Sequence, residues 1–147
     1  MLFLADVTKW QANSWKRVQG AHVEYLLNTN RLDSIIEKHG VATLYYFDNP
    51  FDYRDSGHFM TIDMSVAEVI AQMDTALAHH SITLDMFPNN DITKTPVSTE
   101  ISVADFAFAV TDHHDATHSW VVYTESGWDI KAVLVDHVLA GILGQVI

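Results

Sequence analysis

The chain contains no cysteine, which removes disulfide frameworks, thiol nucleophiles and thiolate metal sites together. Glycine (6) and proline (3) are scarce among 147 residues, excluding collagen-like and low-complexity classes. Charged residues reach only 18%, below the roughly 25% of an average domain, against 48% hydrophobic, a balance that excludes disorder. No apolar run approaches the roughly 18 to 20 residues of a membrane helix, and Leu2-Phe3-Leu4-Ala5 meets Asp6 with no basic segment before it. Neither a membrane span nor a secretory leader is expected, and the chain reads as soluble and cytoplasmic by default. Its length suits a single domain. A domain of about this size buries roughly 68 to 70% of the surface its unfolded chain exposes, so folding needs no metal or cofactor.

Basic residues are also few, and their placement is uneven. Residues 1 to 54 hold six (Lys9, Lys16, Arg17, Arg31, Lys38, Arg54) against six acids. Residues 55 to 147 hold thirteen acids against Lys94 and Lys131, so 13 minus 2 gives the whole net charge of -11. Binding a phosphate backbone requires clustered Lys and Arg that displace counterions, and no cluster is present. Nucleic acid and anionic membrane are therefore not expected partners. The acidic excess has two readings: a solubilising surface, or a face that engages a basic protein.

Apolar periodicity outlines the elements. Val66, Val69, Ile70, Met73 and Leu77 recur at spacings of three and four, predicting a helix over about 64 to 79 that opens on a Ser65/Glu68 capping box. Strands are expected at Leu2 to Val7, at Val41 to Phe47, at His58 to Asp63, and at Ile82 to Phe87, where alternation is nearly strict. Helical turns are expected over Ala21 to Leu27, and again from Asn30 through Leu32, Ile35 and Ile36 to a closing Gly40. That sequence of elements gives an α+β fold, a single domain with a largely antiparallel sheet and helices on one face. Residues 1 to 87 would follow the β-α-β-β-α-β order of a ferredoxin-like sandwich. A β-meander (101 to 110, 118 to 124, 128 to 135) and a short terminal helix from Asp136 complete it. Ile101 to Val110 reads as strand or, from a Ser102 cap, as helix, and 130 to 146 also fits one long helix. An internal boundary fits only in the loop-rich stretch 88 to 97.

Two segments stand out as candidate sites. Asp112-His113-His114-Asp115-Ala116-Thr117-His118 concentrates three histidines and two carboxylates in seven residues. If it joins two strands, His114 and His118 would face each other across the turn with Asp112 beside them. Asp112, His113, His114 and His118 could then hold a divalent metal that activates water for hydrolysis. The alternative is a polar turn in water. The loop Asp48 to Gly57 is long for a hairpin connection, and its Phe51 and Tyr53, flanked by Asp52 and Arg54, are costly to leave in water. A ligand, a partner or the protein's own surface must cover them. Trp120 and Trp128 are placed to pair across the last hairpin, and Trp10 and Trp15 to pack at an interface. His79 and His80 suit the end of the 64 to 79 helix.

No catalytic motif is present: phosphate loops, the nucleophile elbow and the dinucleotide fingerprint are all missing. The expectation is a non-catalytic binding or interaction module that forms a homodimer and engages a protein partner or a small apolar ligand. A metal-assisted hydrolase and an acidic, immunity-type inhibitor of a basic target are the alternatives. Nine histidines add a pH dependence, because protonating all of them would carry the formal charge from -11 to -2. Sedimentation velocity is expected to show increased self-association or precipitation between about pH 7 and about pH 5.5, around the ordinary histidine pKa; superimposable profiles would exclude it.

Overall fold

The computed structural model describes residues 2–12, 18–46, 58–62, 64–71, 80–125 and 129–146. The strands are β1 (Leu2–Ala12), β2 (Val18–Asn28), β3 (Leu32–Lys38), β4 (Val41–Tyr46), β5 (His58–Ile62), β6 (Ser81–Met86), β7 (Val97–Ser102), β8 (Phe106–Thr111), β9 (Ser119–Glu125) and β10 (Asp129–Val135). The helices are short: α1 (Val66–Ala71) and α2 (Leu139–Leu143). One curled sheet runs in the order β3-β4-β5-β1-β2-β8-β9-β10-β6-β7, and each of its pairings is antiparallel.

Chain connectivity forces the curl. The link from β2 to β3 advances four positions, Asn28 to Leu32, and four extended residues reach at most about 14 Å. In a flat sheet those strands would stand four spacings, about 19 Å, apart. The same mismatch recurs between Ser102 of β7 and Phe106 of β8, also four strands apart in the sheet. Each half must therefore roll up. Alternation along β2 shows that the halves roll toward opposite faces. Tyr25 and Leu27 join Ala42, Leu44, Ile62, Phe108 and α1 residue Val69 in one cluster. Leu26 joins Ile82, Leu84, Phe106, Ala109, Val121 and α2 residues Leu139 and Ile142 in the other.

Several expectations are corrected. The ferredoxin-like order fails because 18–28 and 32–38 are strands, and the two helices cover opposite faces rather than one. The helix-like spacing of Leu32 and Ile35 has a specific cause. A register shift between Leu32 and Ser34 inserts an extra residue, so both side chains meet the same cluster although they lie three apart. Gly40 does adopt the left-handed conformation expected of it (φ 80), but with His39 (φ 53) it forms the two-residue loop between paired Lys38 and Val41. Two left-handed positions in succession are what a type I′ hairpin loop needs. The hydroxyl half of the Ser65/Glu68 capping box is present, the Glu68 N–H donating to Ser65 Oγ, while the Glu68 carboxylate Oε1 accepts from that hydroxyl, each at 3.2 Å. Ile70, assigned to the apolar stripe, is exposed, and residues 72 to 79, with Met73, Leu77 and His79, lie outside the described residues.

The segment 101 to 110 is neither one strand nor a helix: it holds the end of β7, a three-residue turn and most of β8. Ser102 accepts from the Ala104 N–H and opens a 3-10 turn, Val103–Asp105, before β8 begins. Phe106, Ala107, Phe108 and Ala109 are all buried, because β8 has a core on each face; such a strand shows no alternation. The stretch 88 to 96 lies in the loop of the β6–β7 hairpin, Val97 opening β7, and 130 to 146 divides into β10 and α2.

The two corner turns, Thr29–Arg31 and Val103–Asp105, meet near the sheet centre. Buried Asn28 joins them, its Nδ2 donating to Val103 O (2.9 Å) and Phe106 O (2.7 Å). Asn28→Ala would leave those carbonyls without these donors and should lower stability by about 1–3 kcal/mol. A shift of the urea midpoint at constant slope would verify it; an unchanged midpoint would contradict it.

Candidate functional site

The segment 112 to 118 connects β8 to β9, whose last and first residues, Thr111 and Ser119, are paired. Backbone bonds close the turn: Asp112 N–H donates to His118 O (2.9 Å), and His118 N–H to Asp115 O (3.0 Å). Asp115 Oδ1 accepts from the Thr117 hydroxyl (2.6 Å) and the Thr117 N–H (2.9 Å). These two bonds, the hydroxyl foremost, hold the Asp115 carboxyl below the ordinary carboxylate range. Asp91 and Thr93 repeat the arrangement in the β6–β7 loop, with the same downward shift.

The turn separates its histidines. His113 is 83% exposed and its ring centroid lies 3.9 Å from that of His114, also exposed. His114 therefore does not face His118 across the turn. His118 points inward, its side chain 12% exposed, its ring meeting the Phe87 ring edge-on at 4.9 Å. Its Nδ1 is buried without a hydrogen bond, 3.5 Å from Asp115 Oδ2, and its Nε2 is 3.6 Å from Asp136 Oδ1. Asp112 is buried beneath the turn, with His113 Nδ1 3.9 Å from its Oδ1. Among the described residues no group of three or more histidines and carboxylates could hold a metal ion.

His118 belongs to a seam that no motif or residue spacing points to. β10 and β6 pair through one register position, Val135 with Met86, flanked by bonds from Phe87 N–H to Leu134 O and from Asp136 N–H to Asp85 O. Side chains extend so narrow a ladder. Asn90 Oδ1 accepts from the Leu134 N–H (2.9 Å), and the Gln145 amide both accepts from Thr83 N–H and donates to Thr83 O, standing in for a strand. His137 Nε2 accepts from the Asp85 N–H at 2.9 Å, while Asp85 Oδ2 lies 3.5 Å away.

A concavity of about 270 Å³ opens between the outer strand β7 and the end of β9. It is lined by Thr99, Glu100, Ile101, Ser102, Asp105, Tyr123, Thr124 and Glu125. No Lys, Arg or His is among them. Lys131, opposite Tyr123 in the β9–β10 register, extends to Asp129 (3.5 Å). Partial burial, then the Glu125 charge, raise the Tyr123 hydroxyl above its ordinary value, Lys131 acting the other way, so it remains a donor at neutral pH. The lining comes from three separate chain segments, so no spacing could have disclosed it.

Phe51, Asp52, Tyr53 and Arg54, with the whole loop from 48 to 57, lie outside the described residues, as do Trp15 and Trp128. Trp120 stands opposite Leu134. His80 is exposed, and among the described residues no helix is long and apolar enough to cross a membrane. Comparison with protein-family models, curated proteins and solved structures finds no match.

The Asp115 geometry has a pH signature. Because folding lowers this pKa, the carboxylate's contribution to stability is present above its unfolded value near 3.8 and is lost as pH falls through the folded value. Thr117→Val removes the hydroxyl donor and should move the Asp115 pKa upward in a carboxyl-carbon NMR titration, leaving Asp91 unmoved; no change at Asp115 would refute the assignment.

Proposed function

We propose that the chain is a non-catalytic interaction module that assembles as a homodimer through the β3 edge of its sheet. One observation carries this reading: the sheet is open, and its outer strands β3 and β7 have no second strand partner among the described residues while exposing large apolar side chains, Ile36 (44%) and Val97 (57%). An unpaired edge offers a row of backbone donors and acceptors, and natural proteins usually blunt such edges with charge. On β3 the charges have both signs, Asp33 and Glu37 against Lys38, within a half of the chain that is neutral overall. A two-fold axis beside β3 therefore brings together edges of small net charge, two acids against one lysine on each.

A second reading, an acidic inhibitor or immunity-type protein with a basic target, draws on the cleft beside β7, where Glu100, Asp105 and Glu125 converge. The metal-assisted hydrolase has less support, because His113 and His114 face solvent while His118 faces the seam.

Wild-type protein is expected to sediment as a dimer at micromolar concentration, and Ile36→Lys as a folded monomer with an unchanged circular dichroism spectrum. A wild-type chain that stays monomeric up to about 100 μM, where even a dimer held by only some 5–6 kcal/mol would form, would overturn the proposal.

A further inference from the structure

The β7 edge and the cleft beside it form one surface. Val97, Ser98, Thr99 and Glu100 are exposed in succession, so both sides of the strand are open along this stretch. Thr99 pairs with Leu84 and Val97 with Met86, in phase with the buried Ile101–Ile82 pair, so this part of β7 runs past the edge of the core that covers Ile101. At the other end of the strand lies the cleft, with Glu100 and Ser102 on one wall and Tyr123 and Glu125 on the other.

We infer that the β7 edge receives an extended, Lys- or Arg-bearing segment of a partner protein, which adds as an eleventh strand and places one long cationic side chain in the cleft among Glu100, Asp105 and Glu125. Backbone hydrogen bonds to an edge strand supply affinity without regard to sequence, and pockets for individual side chains supply choice. Here the pocket selects by charge. Three carboxylates and Tyr123 are among its lining residues, and no basic side chain is among its walls. Electrostatics also separates this occupant from a second copy. Pairing β7 with its own two-fold mate would bring two such acidic walls together, each in a half of the sheet, residues 81 to 135, that carries eight acids and two lysines. The mixed charges of β3 carry no such penalty, so the two edges divide: β3 for self-association and β7 for a basic partner. The inference deepens the acidic-target reading and rests on it, and it is independent of the dimer.

The test uses the full chain and three synthetic peptides, two of about ten residues, a length that matches a typical strand: Lys-Thr repeats, Glu-Thr repeats, and a Lys-Pro-Pro repeat with as many lysines as the first. The proline peptide keeps the charge, but its prolines fall on both edges of an extended chain and interrupt the row of donors on each. Amide NMR titration and calorimetry are run on wild type and on Ile36→Lys, so that loss of the dimer and loss of peptide binding are scored separately. The Lys-Thr peptide should bind both proteins, with shifts confined to 97 to 105 and 123 to 125. Its affinity should fall about tenfold or more between about 0.05 and 0.5 M salt, and by at least about tenfold with the double variant Glu100→Gln, Glu125→Gln, both sites being exposed. The Glu-Thr peptide should not bind. Equal binding of the proline peptide would refute strand addition while sparing the acidic-target reading, and no binding of any cationic peptide would end both. Self-association abolished by Val97→Lys would assign the edge to a second copy and overturn the inference.

Discussion

Four positions carry the chain from β2 to β3 and four from β7 to β8, and in each case the strands joined stand four places apart in the sheet. A flat sheet cannot satisfy that geometry. The roll of each half, the two opposed clusters and the meeting of the corner turns all follow from it. Asn28 matters because it sits where the constraints converge, satisfying carbonyls at both ends of the Val103–Asp105 turn. The central strands acquire a core on each side, which explains why Tyr25 to Leu27 and Phe106 to Ala109 are buried without alternation.

The same division into halves governs charge. The half built from β1 to β5 spans residues 2 to 62, with seven acids against six bases, whereas the half built from β6 to β10 spans residues 81 to 135, with eight acids against two lysines. Net charge says little about fold but much about association. A sheet with one balanced end and one acidic end presents two chemically distinct edges, although its backbone is alike at both. The histidines fall mostly within the acidic part, and those best described there do different things: His113 and His114 meet water, His118 lies against Phe87, and His137 accepts a backbone hydrogen bond.

The fold was legible where local signals act alone. β-Branched and aromatic residues marked β4, alternation marked β6, and Ser65 with Glu68 marked the start of α1. The strands at 18 to 38 were misread because a bulge imitates helical spacing at Leu32 and Ile35, and because a left-handed glycine serves a hairpin loop as readily as a helix end. The cluster at 112 to 118 was legible as composition only. Which way each imidazole turns depends on Asx turns and on Phe87, neither of which spacing encodes. The cleft beside β7 was illegible, since sheet order rather than sequence distance brings Glu100 and Glu125 to the same place.

Sheet order also sets a timetable for synthesis. Tyr25 to Leu27 pair with Phe108 to Val110, about eighty residues downstream, so this edge of β2 stays bare until most of the polypeptide has left the ribosome. The strand that ends up innermost is the one whose flank waits longest for its neighbour. During that interval a stretch as apolar as Tyr25-Leu26-Leu27 is open to mispairing with other nascent chains, so the yield of folded protein depends on how fast the second half arrives.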